Sequence, residues 1–204
     1  MELHEAIVQR RTVRDFSPTP VPEDVTRRAL GAGLKAPSHN HQKDWHFVLL
    51  TDRAAKLAYI KAEDRGENVS EKTLQNISQY EPLAQQMYRE AIPKQNKMIL
   101  EAPAVLVMVF KPDSHLFDSK TIADMNCLAA VWCCIQNILL SFAQDGVYGT
   151  TLVPHSTPAI KEALVIPKEL EIAAIIPFGY KTPDAVIIPQ KEVATEERMH
   201  TNKW

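Results

Sequence analysis

The chain has 204 residues, with 23 lysines and arginines against 25 aspartates and glutamates, so its formal net charge is −2. Its 45% hydrophobic and 24% charged residues are ordinary globular values and exclude a disordered or low-complexity chain. The balanced charge disfavours a general nucleic-acid binder, which normally carries a basic excess. Three cysteines, of which Cys133 and Cys134 are adjacent, do not form a disulfide framework, so a reducing compartment is expected.

Glycine is scarce and proline is plentiful, with 6 and 14 residues. Any phosphate site is therefore expected to use side chains rather than a glycine-rich loop. The N-terminus has no apolar segment of signal-peptide length. The most apolar segment, residues 127–142, is too short for a membrane span and contains Gln136 and Asn137. We interpret it as a buried helix and expect a cytoplasmic protein without a membrane partner.

Hydrophobic periodicity and the positions of proline and glycine predict the order of the elements along the chain. The predicted helices cover residues 2–11, 22–35, 53–63, 121–145 and 157–164, with several short helices in 66–100 and a C-cap at Gly146. The predicted strands are 45–51, 103–110 and 171–178. Of these, 103–110 is apolar throughout, which is typical of a central strand buried on both faces.

This order shows no regular alternation of strand, helix and strand, so it favours an α+β fold with a mixed sheet over a doubly wound fold. No linker divides the chain, and we expect a single domain over residues 1–204. The segment after Gly179 has little periodicity and is a candidate to wrap a partner subunit.

The densest cluster of charge-bearing side chains lies near the N-terminus, where Arg10, Arg11, Thr12 and Arg14 fall within five residues. Guanidinium groups bind phosphate through paired hydrogen bonds, so this cluster is a candidate anion site. The alternative is a solvated basic surface at the end of a helix.

A second polar segment, residues 36–45, lies between a predicted helix and a predicted strand. Loops held by rigid elements often carry function, although an ordinary turn is the alternative. Its His39, His41 and Asp44, with His46, also form the densest set of possible metal ligands, and a metal-binding histidine loop stays open as a hypothesis.

Two further patterns have plain structural interpretations. Residues 31–36 match the G-x-G-x-x-A pattern, but they end a predicted helix, whereas a dinucleotide site needs a strand before the glycines and a helix after them. We expect close helix packing there instead. The cysteines of the apolar helix are expected to act as small hydrophobic residues.

Taken together in chain order, these segments resemble the FMN-dependent nitroreductase family. The resemblance begins with Arg10-Arg11-Thr12-Val13-Arg14 and continues with Ala36-Pro37-Ser38, the loop ending in Trp45, and the strand that starts at Ala102. It ends with the long helix containing Gln136-Asn137, the G-x-x-G-T turn at residues 146–150 and the strand that finishes at Gly179-Tyr180. The motifs are colinear over nearly the whole chain.

The resemblance implies a mixed, mostly antiparallel sheet packed by helices around a long central helix. It also implies an intertwined homodimer that binds one FMN per interface, with both subunits contributing. Arg10, Arg11, Thr12 and Arg14 match the motif that holds the FMN phosphate, ribityl chain and pyrimidine edge. Arg14 is expected near flavin N1 and O2, where a cation would stabilise the anionic reduced flavin.

Other site residues follow from the same resemblance. The resemblance implies that the loop of the partner subunit contacts the flavin through Pro37 and Ser38. Asn40 or His41 is a further candidate for this contact. Thr151, Leu152 and Val153 are expected against the isoalloxazine. A cation near the C-terminus is expected at the phosphate, and Lys181 and Lys191 are equal candidates.

The loop departs from the common family pattern, because His41, Lys43 and Asp44 replace an asparagine, a glutamine and a proline. It is also similar to the loop of iodotyrosine deiodinases, relatives whose hydroxyl residue before a proline faces flavin N5. Val153 precedes Pro154 here, and the missing hydroxyl would favour two-electron hydride chemistry. No convincing match exists to the residues that clamp an amino-acid substrate in those relatives.

The resemblance therefore implies an FMN-dependent oxidoreductase that passes electrons from NADH or NADPH to a small electron-poor acceptor such as a nitroaromatic or a quinone. The flavin would carry the chemistry while the protein orients it. Residues 66–100 are expected to cover the flavin, with Tyr80, Met87 and Tyr88 as possible lid contacts. Reductive dehalogenation and a non-catalytic flavin-binding sensor stay open as alternatives.

Overall fold

The computed structural model describes residues 2–66, 70–113 and 118–204. Its centre is a four-stranded sheet in the order β1-β2-β4-β3, and every neighbouring pair is antiparallel. The strands are β1 (Trp45–Leu50), β2 (Ala104–Phe110), β3 (Tyr148–Gly149) and β4 (Glu171–Gly179). The α+β class predicted from the sequence is confirmed.

Strand β2 lies inside the sheet, as its uninterrupted apolar sequence predicts. It pairs with β1 from Val105 opposite Leu50 to Phe110 opposite Trp45, and with β4 on its other side. Side chains from Val105 to Phe110 are buried on both faces. This agrees with the rule that a strand covered on both sides has no need of polar alternation.

The short strand β3 has no counterpart in the sequence prediction. Its two residues pair with Gly179 and Phe178 of β4, and Thr12 forms an isolated parallel bridge to Gly149. Such a short strand is held by its neighbours rather than by its own periodicity. It places the arginine cluster beside the edge of the sheet.

The described residues contain eight α-helices, which are arranged around the sheet. Their bounds are α1 (Leu3–Gln9), α2 (Glu23–Gly33), α3 (Arg53–Glu63), α4 (Glu71–Ile77), α5 (Pro82–Ala91), α6 (Gln95–Glu101), α7 (Asn126–Gln144) and α8 (Thr157–Ala163). The predicted helices are all found, and the 66–100 segment forms several short helices as expected, with residues 67–69 outside the described part.

The two faces of the sheet bury separate cores, as alternation along a strand requires. On one face, Leu106, Met108 and Phe110 of β2 pack with α2 and α7. On the other face, Val105, Val107 and Val109 pack with Tyr59, Ile99 and Ile160, which belong to α3, α6 and α8. The aromatic rings of Phe142 and Phe178 stack at 4.6 Å in the first core.

Helix α7, with the short 3-10 turn before it, is long and apolar enough to cross a membrane by length and composition alone. However, Val131, Ile135, Ile138 and Phe142 are fully buried in the fold. A core helix passes the same test, and its packing explains its composition. The helix ends before Gly146, whose φ of +68° is the left-handed conformation predicted for this C-cap.

Close packing also explains the Gly31–Ala36 pattern. Both glycines lie inside or at the end of α2, with no strand before them. A Cβ built on Gly33 would lie 2.7 Å from Cγ1 of Ile138, whereas one on Gly31 would meet nothing within 4 Å. Gly33 therefore lets α2 approach α7, as the packing interpretation predicts.

Candidate functional site

The arginine cluster lines a cavity of about 360 Å³. Its walls come from three parts of the chain: the N-terminal motif, helix α5 with the residue before it, and the C-terminal segment 188–191. The lining residues are Arg10, Arg11, Thr12, Arg14, Glu81, Leu83, Ala84, Met87, Ile188, Pro189, Gln190 and Lys191. The structure thus brings together all four polar residues of the motif and one of the two candidate lysines.

The motif follows helix α1 directly and is fixed by buried neighbours. Val13 and Phe16 are buried in a small core with Met98 and Ala102. The Thr150 hydroxyl donates a 2.5 Å hydrogen bond to the carbonyl of Val13. These contacts set the backbone direction, and they explain why the polar side chains of the motif line the cavity.

Arg14 is the most buried of these cations, with only 6% of its surface exposed. Burial lowers the pKa of its guanidinium, while the nearby carboxylates of Glu90 and Asp15 oppose that shift. Its Nε atom is buried and has no hydrogen-bond partner among the described residues. A buried donor without a partner is costly, so an acceptor entering this cavity would satisfy it.

A three-residue network ties α5 to the motif. The Lys94 ammonium donates to Asp15 Oδ2 at 2.7 Å and also to the Glu90 carboxylate of α5. Although burial opposes it, these two carboxylates raise the pKa of Lys94, so the bridge is charged. It holds one wall of the cavity in place, and no sequence pattern indicated this role for Lys94.

The C-terminal segment closes another side of the cavity. The Arg11 guanidinium donates to the carbonyl of Ile188 at 2.7 Å, and Lys191 Nζ lies 2.7 Å from Oε2 of Glu81. The ion pair lowers the pKa of Glu81. The backbone of Lys181 instead forms an isolated antiparallel β-bridge with Phe16, and Lys181 is not among the lining residues. Of the two candidate lysines, the structure therefore brings Lys191 to the motif.

Among the three expected lid residues, Met87 lines the cavity. Tyr80 and Tyr88 instead contact each other, with ring centroids 5.2 Å apart, and are not among the lining residues.

The polar loop lies apart from this cavity within one chain. None of Pro37, Ser38, Asn40 and His41 is among the described residues that line it. Asn40 and His41 have φ angles of 49° and 55°, so the loop is a tight turn that presents exposed side chains. The Ser38 hydroxyl accepts a hydrogen bond from the Lys43 amide at 3.3 Å.

Residues 2–66, 70–113 and 118–204 contain no group of three or more histidine, cysteine, aspartate or glutamate side chains that could hold a metal ion, so the histidines of this loop belong to no such group there. His46 lies 3.3 Å from Asp44, and His39 lies 3.9 Å from Asp113. Cys127 donates to the carboxylate of Asp113. Cys127 and Cys134 are buried, while Cys133 is exposed.

The segment Thr151–Val153 follows the sheet edge close to the motif. Leu152 is paired with Ile175 through two backbone hydrogen bonds of 2.8 Å, whereas Thr151 and Val153 are exposed. Val153 lines a second, larger cavity of about 1090 Å³, with Trp132 and His155. None of Thr151, Leu152 and Val153 is among the residues that line the cationic cavity.

Beneath this segment lies an ion pair that sequence reasoning missed. Glu63, which is buried, accepts hydrogen bonds from the Arg65 side chain and from the backbone amides of His155 and Ser156. The two residues are separated from that loop by about ninety positions along the chain, so no local pattern indicates the contact.

Fold and site together define a helix-covered antiparallel sheet with a cationic cavity at its edge, and comparison with known proteins places it. The nitroreductase family model matches residues 7–180, so the chain belongs to the nitroreductase family. Among curated relatives, an iodotyrosine deiodinase of Thermotoga neapolitana is 22% identical over 94% of this chain and 95% of its own. A Methanothermobacter thermautotrophicus protein, provisionally named an NADH dehydrogenase/NAD(P)H nitroreductase, is 23% identical over 100% of this chain and 88% of its own.

Solved structures agree on the fold. An oxidised iodotyrosine deiodinase bound to FMN and 3-iodo-L-tyrosine superposes with a TM-score of 0.76 at 19% identity, covering 100% of both chains. A nitroreductase with bound FMN from Bacteroides fragilis gives 0.69 at 18% identity, covering 99% of this chain and 100% of its own.

Proposed function

We propose that the chain is an FMN-dependent oxidoreductase that passes electrons from NADH or NADPH to a small electron-poor acceptor. The observation that carries the proposal is the convergence of Arg10, Arg11, Arg14 and Lys191 on one cavity. Solved relatives of the same fold bind FMN, which supports the choice of this anion.

The residues of the cavity fit the chemical groups of FMN. A phosphate dianion is matched by guanidinium groups that bind it through paired hydrogen bonds. We assign this role to Arg10 and Arg11, with Lys191 completing the charge once it leaves Glu81. Thr12 is exposed at the same wall and offers a hydroxyl to the ribityl chain.

Arg14 is assigned to the pyrimidine edge of the flavin. Its buried Nε has no hydrogen-bond partner in the part of the chain that the structure describes and needs an acceptor, and its positive charge lies in a poorly solvated position. A cation there stabilises negative charge at N1 and O2 more strongly than a solvated one would, because screening by water is reduced. When bound, FMN would supply the redox chemistry, which is uptake of hydride from the nicotinamide and transfer of electrons to the acceptor.

We further propose that the enzyme works as a homodimer. The expected flavin contacts Pro37 and Ser38 lie outside the cavity of their own chain, so a partner subunit would bring them. Leu3, Ile7 and Val8 of α1 are exposed apolar side chains, which supports a second copy covering that helix.

The test is anaerobic stopped-flow reduction of the FMN-loaded protein by NADH and by NADPH, followed by reoxidation with a nitroaromatic, a quinone and a halophenol. Reduction by a nicotinamide and rapid reoxidation by the nitroaromatic or quinone are expected. Binding of FMN without reduction by either nicotinamide would contradict the proposed donor and favour a flavin-binding sensor.

Reductive dehalogenation is the second candidate, and it is favoured by the deiodinase relatives of this chain. The exposed Val153 argues against it, because this position offers no hydroxyl beside the adjacent Pro154. Turnover of the halophenol at a rate above that of the nitroaromatic would select this candidate.

A further inference from the structure

The loop between Leu152 and helix α8 is held from below by a charged pair, in which Glu63 is buried and the Arg65 side chain is 9% exposed. Glu63 ends α3 and keeps only 4% of its surface exposed. Arg65 follows Asp64, whose φ of 48° turns the chain so that both side chains face the same loop. We call Glu63 and Arg65 together the clasp.

The clasp uses nearly all of its hydrogen-bonding capacity on this loop and its surroundings. The Glu63 carboxylate accepts the His155 amide at 3.0 Å and the Ser156 amide at 3.2 Å. Arg65 donates to Glu63 from Nε at 2.6 Å, to the carbonyl of Val153, and to Gln95 at 3.2 Å.

A buried ion pair is weak evidence for stability, because desolvation of both charges offsets their attraction. A fully satisfied buried network does restrict its neighbours to one arrangement. Here the restricted neighbours are the backbone groups of Val153, His155 and Ser156, which belong to no helix or strand. Leu152 is already fixed by Ile175, so the clasp fixes the next part of the same segment.

We infer that the clasp is a positioning device for the loop at residues 153–156. Because Thr12 of the cationic cavity bridges Gly149, the segment that carries this loop begins beside the cavity assigned to FMN, and the loop would meet the part of the flavin that extends beyond that cavity. Glu63 and Arg65 thereby control flavin affinity and hydride transfer. This inference rests on the proposed function. The clasp acts from the inner side, and the exposed side chains of Thr151, Val153 and His155 are left free to face a ligand. A preorganised loop contributes to catalysis because it needs no reordering when the ligand binds.

The test uses Glu63→Gln and Arg65→Lys. The first variant loses the charge and turns an amide NH₂ toward backbone donors. The second keeps the positive charge against Glu63 but loses the fork that also reaches Val153. Lys56→Met is the control: Lys56 is a buried cation of helix α3, which Glu63 ends, but it donates to the carbonyls of Ala102 and Pro103 rather than to the loop.

One readout of the loop and three readouts of the flavin are measured in each protein. Hydrogen exchange at the His155 and Ser156 amides, measured without FMN, is expected to accelerate about tenfold or more in both clasp variants. FMN affinity and the rate of reduction by the nicotinamide are expected to fall by about tenfold, with a shifted visible absorption band of the bound flavin. Lys56→Met is expected to lower thermal stability and leave the three flavin readouts and the loop amides unchanged.

Unchanged exchange at both amides, or wild-type FMN affinity and reduction rate in both clasp variants, would overturn the inference. The same flavin losses in Lys56→Met would also overturn it, because general destabilisation would then explain them. Failure of the wild-type protein to bind FMN would instead contradict the proposed function. The wild-type protein alone shows that outcome, so it is distinct from a failure of the clasp inference.

Discussion

Replacing Arg14 by methionine separates the proposed role of this residue in flavin binding from its role in the fold. The substitution keeps much of the side-chain volume and removes the charge. A hydrogen bond to a charged group contributes about 1.5–3 kcal/mol. Loss of that interaction corresponds to FMN binding that is about 10- to 150-fold weaker.

The expected effect on the flavin-free protein is small. Burial lowers the pKa of Arg14 despite the neighbouring Glu90 and Asp15, so the charged group is not well compensated in its position. Those two carboxylates keep Lys94 as a partner. The substitution removes the desolvation cost of this charge together with its attraction to the two carboxylates. These two effects oppose each other, so a change within about 1 kcal/mol is expected. For a chain of this size that is about 2–4 °C in Tm.

The first assay is titration of flavin-free protein with FMN, in which binding is monitored by protein fluorescence. The second is thermal unfolding without flavin. Arg27→Met is the matched control, because Arg27 is exposed and pairs with Glu23 on the surface of α2. Wild-type FMN affinity in Arg14→Met, or a large loss of flavin-free stability, would refute the reasoning about Arg14.

Three further outcomes are expected. Glu81→Gln frees Lys191 and should strengthen FMN binding by at most about fivefold, since the pair is exposed; weaker binding in the titration would contradict the assigned competition. Gly33→Ala should lower Tm, because overpacking costs about 1–3 kcal/mol and exceeds the gain in helix propensity. Gly31→Ala should raise Tm, because the space around Gly31 is open. Equal shifts of Tm in the two variants would show that the contact between α2 and α7 is not tight. Burial raises the pKa of the Cys134 thiol from 9.0 to about 12, so the folded state keeps the thiol neutral. The stability that the neutral Cys134 thiol contributes is fully present below about pH 9 and is lost as pH rises toward 12. Alkylation of Cys134 in the folded protein at pH 9 would contradict a thiol that stays buried and neutral at that pH.

Much of the fold could be predicted because its main elements are locally encoded. β2 is an unbroken apolar run, and α2 and α7 carry clear start or end signals at Pro22 and Gly146. β3 could not be predicted, because two residues show no periodicity and depend on pairing with β4 and Thr12.

The candidate site divides in the same way. The arginine motif is dense enough to be recognised from sequence alone, and the structure brings its polar side chains to one cavity. The choice between Lys181 and Lys191 depends on the path of the C-terminal segment, which is set by the distant contact of Arg11 with Ile188. The clasp was missed because the left-handed turn at Asp64 and a long-range loop contact create it.

The most direct measurement of the central claim compares FMN with riboflavin, which lacks the phosphate, in binding to the flavin-free protein. If Arg10, Arg11 and Lys191 hold the phosphate, FMN should bind about 100-fold more tightly or better, since two or more charge-assisted hydrogen bonds are lost with riboflavin. The preference should shrink as salt concentration rises. Equal affinity for the two flavins would contradict the assignment of the cationic cavity to the FMN phosphate.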